Sequence, residues 1–160
     1  MAKKKKKNTD VPDDGILLVR NKRGRHDYII EEQFEAGLVL VGSEVKALRD
    51  KRGSLNEGHI DIRKGEAWLI NAQIQEYAWA NQFNHSPERR RKLLLHRREI
   101  HKIDVRITQR GYTGVPLALY LRGGRVKLSF GIGRGRREFE KRHAKREAEA
   151  KRELARAMRK

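Results

Sequence analysis

The 160-residue chain has no cysteine, three prolines and no long apolar run, and these shortages close off whole classes of protein. Without cysteine there is no disulfide framework, no thiolate zinc site and no thiol nucleophile, a composition that suits a reducing cytoplasm. No apolar segment approaches the roughly 18 residues that a membrane-spanning helix needs. Lys3 to Lys7 lead into Asn8, Thr9 and Asp10, where a signal peptide would turn apolar. Neither a membrane protein nor an exported one is expected. Aromatic residues make up only 6% of the chain, so base stacking cannot dominate any binding surface once a core has taken its share.

Positive charge is what the chain has in excess. Lys and Arg number 39 against 21 Asp and Glu, a net charge of +18. The excess is +2 over residues 1–19, +9 over 20–133 and +7 over the last 27 residues. That final segment offers only Phe139, Leu154 and Met158 as larger apolar residues and cannot build a core. A clustered field of this size attracts polyanions, and nucleic acid leads an acidic membrane surface as the partner. The bland alternative is a solvated, solubilising surface.

The pattern of apolar residues is mainly that of strands. Residues 1–15 read as a disordered basic arm, interrupted by Pro12 and Gly15, and the fold is expected to start at Ile16. Short strands are expected over 16–19, around 28–30 and over 37–41, then over 59–62 and 66–70 about a Lys64-Gly65 turn, and over 73–77. Ser43 is placed to cap a helix over 44–49, and 78–86 reads as a long loop. Ile100, Ile103 and Ile107 share one face of a helix over 96–110 that Gly111 stops. Leu117, Leu119 and Leu121, the Gly123-Gly124 turn, and Val126, Leu128, Phe130 and Ile132 spell a β-hairpin. Arg122, Arg125 and Lys127 then fall on its outer face. The expected fold is mainly β: a small antiparallel β-barrel with two or three flanking helices and a basic tail, because closure removes exposed strand edges. An open α+β sandwich is the alternative. The units are an arm (1–15), a barrel (16–133) and a tail (134–160).

Catalytic patterns are missing. His26, His59, His85, His96, His101 and His143 show neither the H-E-x-x-H spacing nor an i, i+4 pair, so no metal or other cofactor is expected. Glu31, Glu32 and Glu35 read as ion-pair partners; a small nuclease using Glu31, Glu35 and His26 is the enzymatic alternative. The run from Gly131 to Gly135 lacks the Lys-Ser/Thr ending of a phosphate cradle and reads as a flexible hinge. What remains is a recognition surface of cations, with Tyr28, Trp79, Phe83 and Tyr112 as candidates for stacking on unpaired bases, and structured RNA as its target.

Several blocks are more specific. Asn21-Lys22-Arg23-Gly24-Arg25-His26-Asp27-Tyr28, Glu35-Ala36-Gly37, Glu44-Val45-Lys46, Gly65-Glu66-Ala67-Trp68-Leu69, Phe83-Asn84-His85, Arg91-Lys92-Leu93-Leu94-Leu95-His96 and Gly111-Tyr112-Thr113 resemble, in the same order, the SmpB or SsrA-binding protein family. The resemblance covers about residues 20–142. It implies an oligonucleotide-binding-type barrel without catalytic activity or cofactor, in the cytoplasm, that binds the tRNA-like domain of transfer-messenger RNA and serves ribosomes stalled on broken messages. It implies an RNA face of Asn21, Arg25, His26, Tyr28, Glu35, Gly37, Leu94, His96 and Lys127, to which Lys22, Lys46, Arg91, Lys92 and Arg125 add cations. Glu35 would accept from base or ribose donors. The tail would enter the empty message channel and meet small-subunit rRNA through Arg134, Gly135, Arg136, Arg137, Glu140, Lys141 and Arg142. Glu140 stands where Asp is usual. Alanyl-tRNA and elongation factor Tu would be met only through the RNA. With Glu138→Arg142 and Glu147→Lys151 pairs but little apolar face, the tail is expected to be disordered when free and helical on the ribosome. A structural ribosomal protein, or another binder of structured RNA, is the competing function.

Overall fold

Two glycines in left-handed conformation, Gly123 at φ 57° and Gly124 at φ 74°, set the longest hairpin of the fold, because only such a turn matches the twist of two tightly joined strands. A computed structural model describes residues 10–79, 84–136 and 138–159, with side chains described for all of these except 138–145. The elements in chain order are β1 (Ile16–Arg20), α1 (Gly24–Asp27), β2 (Tyr28–Leu38), α2 (Gly42–Arg49), β3 (Gly53–Ser54), β4 (His59–Arg63), β5 (Glu66–Ile70), β6 (Gln73–Ile74), β7 (Arg91–Leu94), α3 (Arg97–Ile107), β8 (Tyr112–Arg122), β9 (Arg125–Gly135) and α4 (Glu138–Ala157).

In the hairpin, β8 and β9 pair from Arg122 opposite Arg125 to Tyr112 opposite Arg134. Antiparallel pairings then run β8-β4-β5-β7-β2-β9 and return to β8, which closes a ring; β1 adds to the far part of β8. This is the expected mainly β barrel. Its interior is filled by alternating residues such as Leu69, Leu93, Leu128 and Phe130, and the Phe34 and Phe130 rings stack at 5.5 Å. Ile103 of α3 and Leu48 of α2 are completely buried, so both helices close over the barrel.

The structure corrects the expected elements at several points. The strands expected near 28–30 and over 37–41 are one 11-residue strand, β2, with an irregularity between Ile30 and Glu32. The strand expected over 73–77 shrinks to Gln73–Ile74, paired with Gly53–Ser54. Strand β7 stands where no strand was expected, within a stretch of arginines. Helix α2 begins one residue before Ser43; the Glu44 carboxylate accepts from the Val41 N–H at 3.0 Å, and the Ser43 hydroxyl is bonded to His85 Nδ1 at 2.8 Å. Of the expected disordered arm, residues 1–9 lie outside the described residues, whereas 10–15 pack on the barrel, with Asp10 paired to Arg25 and Asp14 to Arg122.

The expected hinge is strand. A Cβ on Gly133 would stand 2.4 Å from the Ile29 carbonyl oxygen, and one on Gly131 would stand 2.4 Å from Ile30 Cγ2. These glycines let β2 and β9 press together. Gly133→Ala should therefore destabilise the barrel by about 1–3 kcal/mol, the usual cost of overpacking. Gly135→Ala, whose Cβ would meet nothing within 4 Å, should leave the urea midpoint unchanged. Equal midpoints for the two variants would contradict the close-approach account.

The tail boundary moves as well. Arg134 and Gly135 belong to β9, opposite Ile29 and Tyr28, and the Arg136 N–H donates to the Asp27 carbonyl at 2.8 Å. Beyond it α4 is a 20-residue helix. Its described side chains, residues 146–159, are all exposed, so it buries none of the arginines they include.

Candidate nucleic-acid interface

Alternation along β2 puts Glu35 and Gly37 on one face. Gly37 sits between Lys127 of β9 on one side and Leu94 of β7 on the other. Its lack of a side chain is what lets Leu94 lie over the strand, since a Cβ there would come to 3.3 Å from that of Leu94. Leu94 is consequently 55% exposed, an apolar platform amid polar groups. His96 is the N-cap residue of α3 and is exposed. The result is an open groove of about 660 Å³ lined by Glu35, Gly37, Lys92, Leu94, His96 and Lys127 among others. Residues up to 92 positions apart in the chain meet here. Lys92 is also paired with Glu66 at 3.1 Å. An adjoining notch extends the groove past Leu40 and Val45 to Arg125 at the hairpin tip.

Glu35 is held from below. Its carboxylate accepts from the Tyr120 hydroxyl and from Arg122 Nη1 at 3.2 Å. Burial, then the hydrogen bond and charge of Glu35, push the Tyr120 phenol well above its ordinary range, so it stays a donor at any physiological pH. A carboxylate has about four lone-pair sites, which leaves Glu35 room for an added donor from the groove side.

The second cluster surrounds α1. Asn21 is buried and fully used: Nδ2 donates to the Pro116 carbonyl at 2.7 Å and the Leu55 carbonyl at 3.4 Å, while Oδ1 accepts from the Arg23 and Gly24 N–H groups. It shapes the loop instead of offering contacts outward. The loop presents Lys22, Arg23 and His26 to solvent, with His26 Nδ1 2.9 Å from Asp27 Oδ1. Tyr28 is half-buried and lines a separate polar cavity of about 390 Å³ with Arg23, Glu57 and His59. Arg25 forks onto Asp10, with Nε 3.0 and 3.1 Å from the two carboxylate oxygens. Lys46 is exposed, 5.7 Å from the centroid of Tyr77.

One expected contact is inside the protein. Arg91 is completely buried; its Nε donates to Glu44, its Nη1 to the Ala72 carbonyl at 2.7 Å and its Nη2 to the Pro87 carbonyl at 3.0 Å. Every arm of that guanidinium is engaged, which removes Arg91 from any outer face. Burial pulls its pKa down and Glu44 opposes the shift.

At the far end of β2, Glu31 accepts from Arg106 Nη2 at 2.7 Å and lies 3.6 Å from Arg134 Nε, while Arg106 stacks on Tyr112. Glu31 and Glu35 therefore serve different cation sets, four residues apart on a strand, and do not converge with His26 on one point. Arg136 is exposed. Arg137 lies outside the described residues, as do the side chains of Glu140, Lys141 and Arg142 on α4. Sequence reading placed Arg122 on the cationic face yet missed its link to Glu35. It had no signal for Tyr120 as the donor beneath that carboxylate, because the two are 85 residues apart.

Among the described residues no cluster of His, Asp and Glu is arranged to hold a metal ion, and no helix is long and apolar enough to cross a membrane.

The closed ring, the open groove and the surplus of cations define a small basic barrel of the oligonucleotide-binding type. The family model described as SmpB protein matches residues 18–160, and the SsrA-binding protein of Thermobifida fusca is 51% identical over 159 residues, 99% of this chain and 98% of that one. The chain belongs to the SmpB family. The SsrA-binding protein of Bifidobacterium longum (strain DJO10A) is 54% identical over 89% of this chain and 91% of its own. A chain in the solved structure "tmRNA-SmpB: a journey to the center of the bacterial ribosome" superposes with a TM-score of 0.65 at 37% identity, covering 78% of this chain and 85% of that one.

Proposed function

We propose that this protein is a cytoplasmic RNA-binding adaptor, not an enzyme, that carries transfer-messenger RNA to stalled ribosomes. The observation that carries the reading is the convergence of Glu35, Gly37, Leu94, His96 and Lys127 from three strands and a helix cap into one open groove. The names of its close relatives, SsrA-binding proteins, and of its structural neighbour on the ribosome support the same partner. The tRNA-like domain lies in the groove. Lys127 and His96 meet phosphate, Leu94 packs against a base or ribose, and Glu35 accepts from a hydroxyl or amino donor. Lys22, Arg25, His26 and Tyr28 form a second contact, and Lys46, Lys92 and Arg125 add charge around the rim.

The tail works separately. The segment from Arg136 onward, with Arg137, Glu140, Lys141 and Arg142, enters the message channel of the small subunit, and Arg134 and Gly135 fix its point of departure from β9. Alanyl-tRNA and elongation factor Tu are met through the RNA alone.

Filter binding of a tRNA-like RNA domain at two salt concentrations tests the reading. Six or more phosphate contacts should lower affinity by about 10³ or more between 50 and 200 mM salt, and a duplex of equal length should bind more weakly. Indifference to salt, or equal affinity for any duplex, would reject it. Sedimentation separates it from a structural ribosomal protein, which would sit on every ribosome, whereas an adaptor should be found on a small fraction that rises on stalling.

A further inference from the structure

Residues 10–15 form a turn, closed by the Gly15 N–H donating to the Pro12 carbonyl at 2.9 Å. This acidic strap crosses the outer faces of β2 and β8. Asp10 is only 6% exposed, held by the Arg25 fork; the same guanidinium donates to Gln33 Oε1 at 3.2 Å. At the other end Asp14 accepts from Arg122 Nε at 3.1 Å, and Arg122 also reaches Glu35. Between them Val11 and Pro12 line a cleft with Tyr120, which is left 1% exposed on what is otherwise the outward side of the hairpin.

Two arginines on the RNA side of the barrel are thus already holding anions of the chain itself. Arg25 belongs to the α1 cluster, and Arg122 adjoins Glu35 at the groove. At Arg25 the carboxylate forked on the guanidinium has the planar, multiply bonded geometry that arginine uses for phosphate, and at Arg122 the Nε bond to Asp14 Oδ2 is a single charge-assisted one. We propose that Asp10 and Asp14 stand in for two RNA phosphates at Arg25 and Arg122, and that the strap leaves when the RNA arrives. The proposal rests on the RNA reading above. A ligand must then replace both carboxylates to gain the two arginines, so its apparent affinity is reduced by the fraction of chains in which the strap is away. An RNA that reaches Arg25, Arg122 and the groove together makes up that loss. A polyanion touching one of them does not.

Full-length Asp10→Asn/Asp14→Asn is the test, with a transcript of the tRNA-like domain as the probe at fixed salt. The double variant should bind roughly tenfold tighter, the equivalent of about 1.4 kcal/mol. Asp50→Asn/Asp104→Asn changes the net charge equally, away from the strap, and should gain much less. The gain should vanish when Arg25→Gln/Arg122→Gln is added. Equal tightening by the control pair, a gain that persists without the two arginines, or no gain at all overturns the strap. A parent chain that does not bind the tRNA-like domain overturns the function proposed above instead.

Discussion

Glu44→Ala should cost the barrel about 3–5 kcal/mol, the range for removing one partner of a buried ion pair. Glu44 is 0% exposed, and its carboxylate accepts from Arg91, Arg89 and the Val41 N–H at once. The substitution leaves Arg91 charged, fully buried and without its counter-ion, since a guanidinium does not give up its proton. Glu44→Leu together with Arg91→Met should recover most of the loss, because the fully buried cation is gone and Arg89, whose side chain is 34% exposed, can turn to water. Urea unfolding followed by tryptophan fluorescence measures both, and a loss below about 1 kcal/mol for Glu44→Ala would show that the pair does not tie α2 to β7 as described. A pH signature accompanies it. Burial alone would raise the Glu44 pKa, but the hydrogen bonds from Arg89, Val41 and Arg91 outweigh burial and hold it below its ordinary value. The stabilisation is complete above the unfolded value of about 4.3 and fades as the pH falls through the lower folded one. Glu44→Gln should flatten that acid-side loss.

Truncation after Arg136 should leave affinity for the isolated tRNA-like domain within about twofold while abolishing tagging on stalled ribosomes. The groove and the α1 loop lie wholly within the retained barrel, and the removed residues hold no described side chain that is buried. The position of the cut matters. Ending the chain before Arg134, where composition alone marks the boundary, would also strip the partners of Tyr28 and Ile29 from β2. Binding measured by filter retention and tagging measured in a translation extract separate the two activities. RNA binding lost with the short truncation would mean that the tail shares in holding the RNA.

Much of this architecture is legible in the sequence where side chains alternate against local turns. The β8–β9 hairpin follows from leucines on either side of Gly123-Gly124, α3 from its isoleucines, and β4–β5 from the Lys64-Gly65 turn. What escapes is decided by residues far away in the chain. Strand β2 is interrupted on paper by Glu31, Glu32, Gln33 and Glu35, which look like turn or surface residues. They are tolerated because Arg106, Lys102, Ser129 and Tyr120 reach them from α3, β8 and β9. Strand β7 hides within Arg89-Arg90-Arg91-Lys92 for the same reason, since only the buried Glu44 explains an arginine facing inward. The candidate site divides along the same line. Motif resemblance picked out the groove residues, while the burial of Asn21 and Arg91 and the docking of Asp10 on Arg25 depend on contacts that no local pattern encodes.

A single strand links the two ends of the molecule's work. Gly37, in the groove, and Tyr28, beside the root of the tail, are nine residues apart on β2, a span of about 30 Å at the usual strand rise. Because β2 is paired with β9 from Tyr28 to Gly37 and with β7 at Gly37 and Leu38 in a closed ring, that span cannot stretch or slip, and a one-residue shift would turn every side chain to the opposite face. The barrel thereby acts as a caliper: if the groove holds RNA as proposed, the point at which the cationic tail leaves β9 stands at a set distance from it.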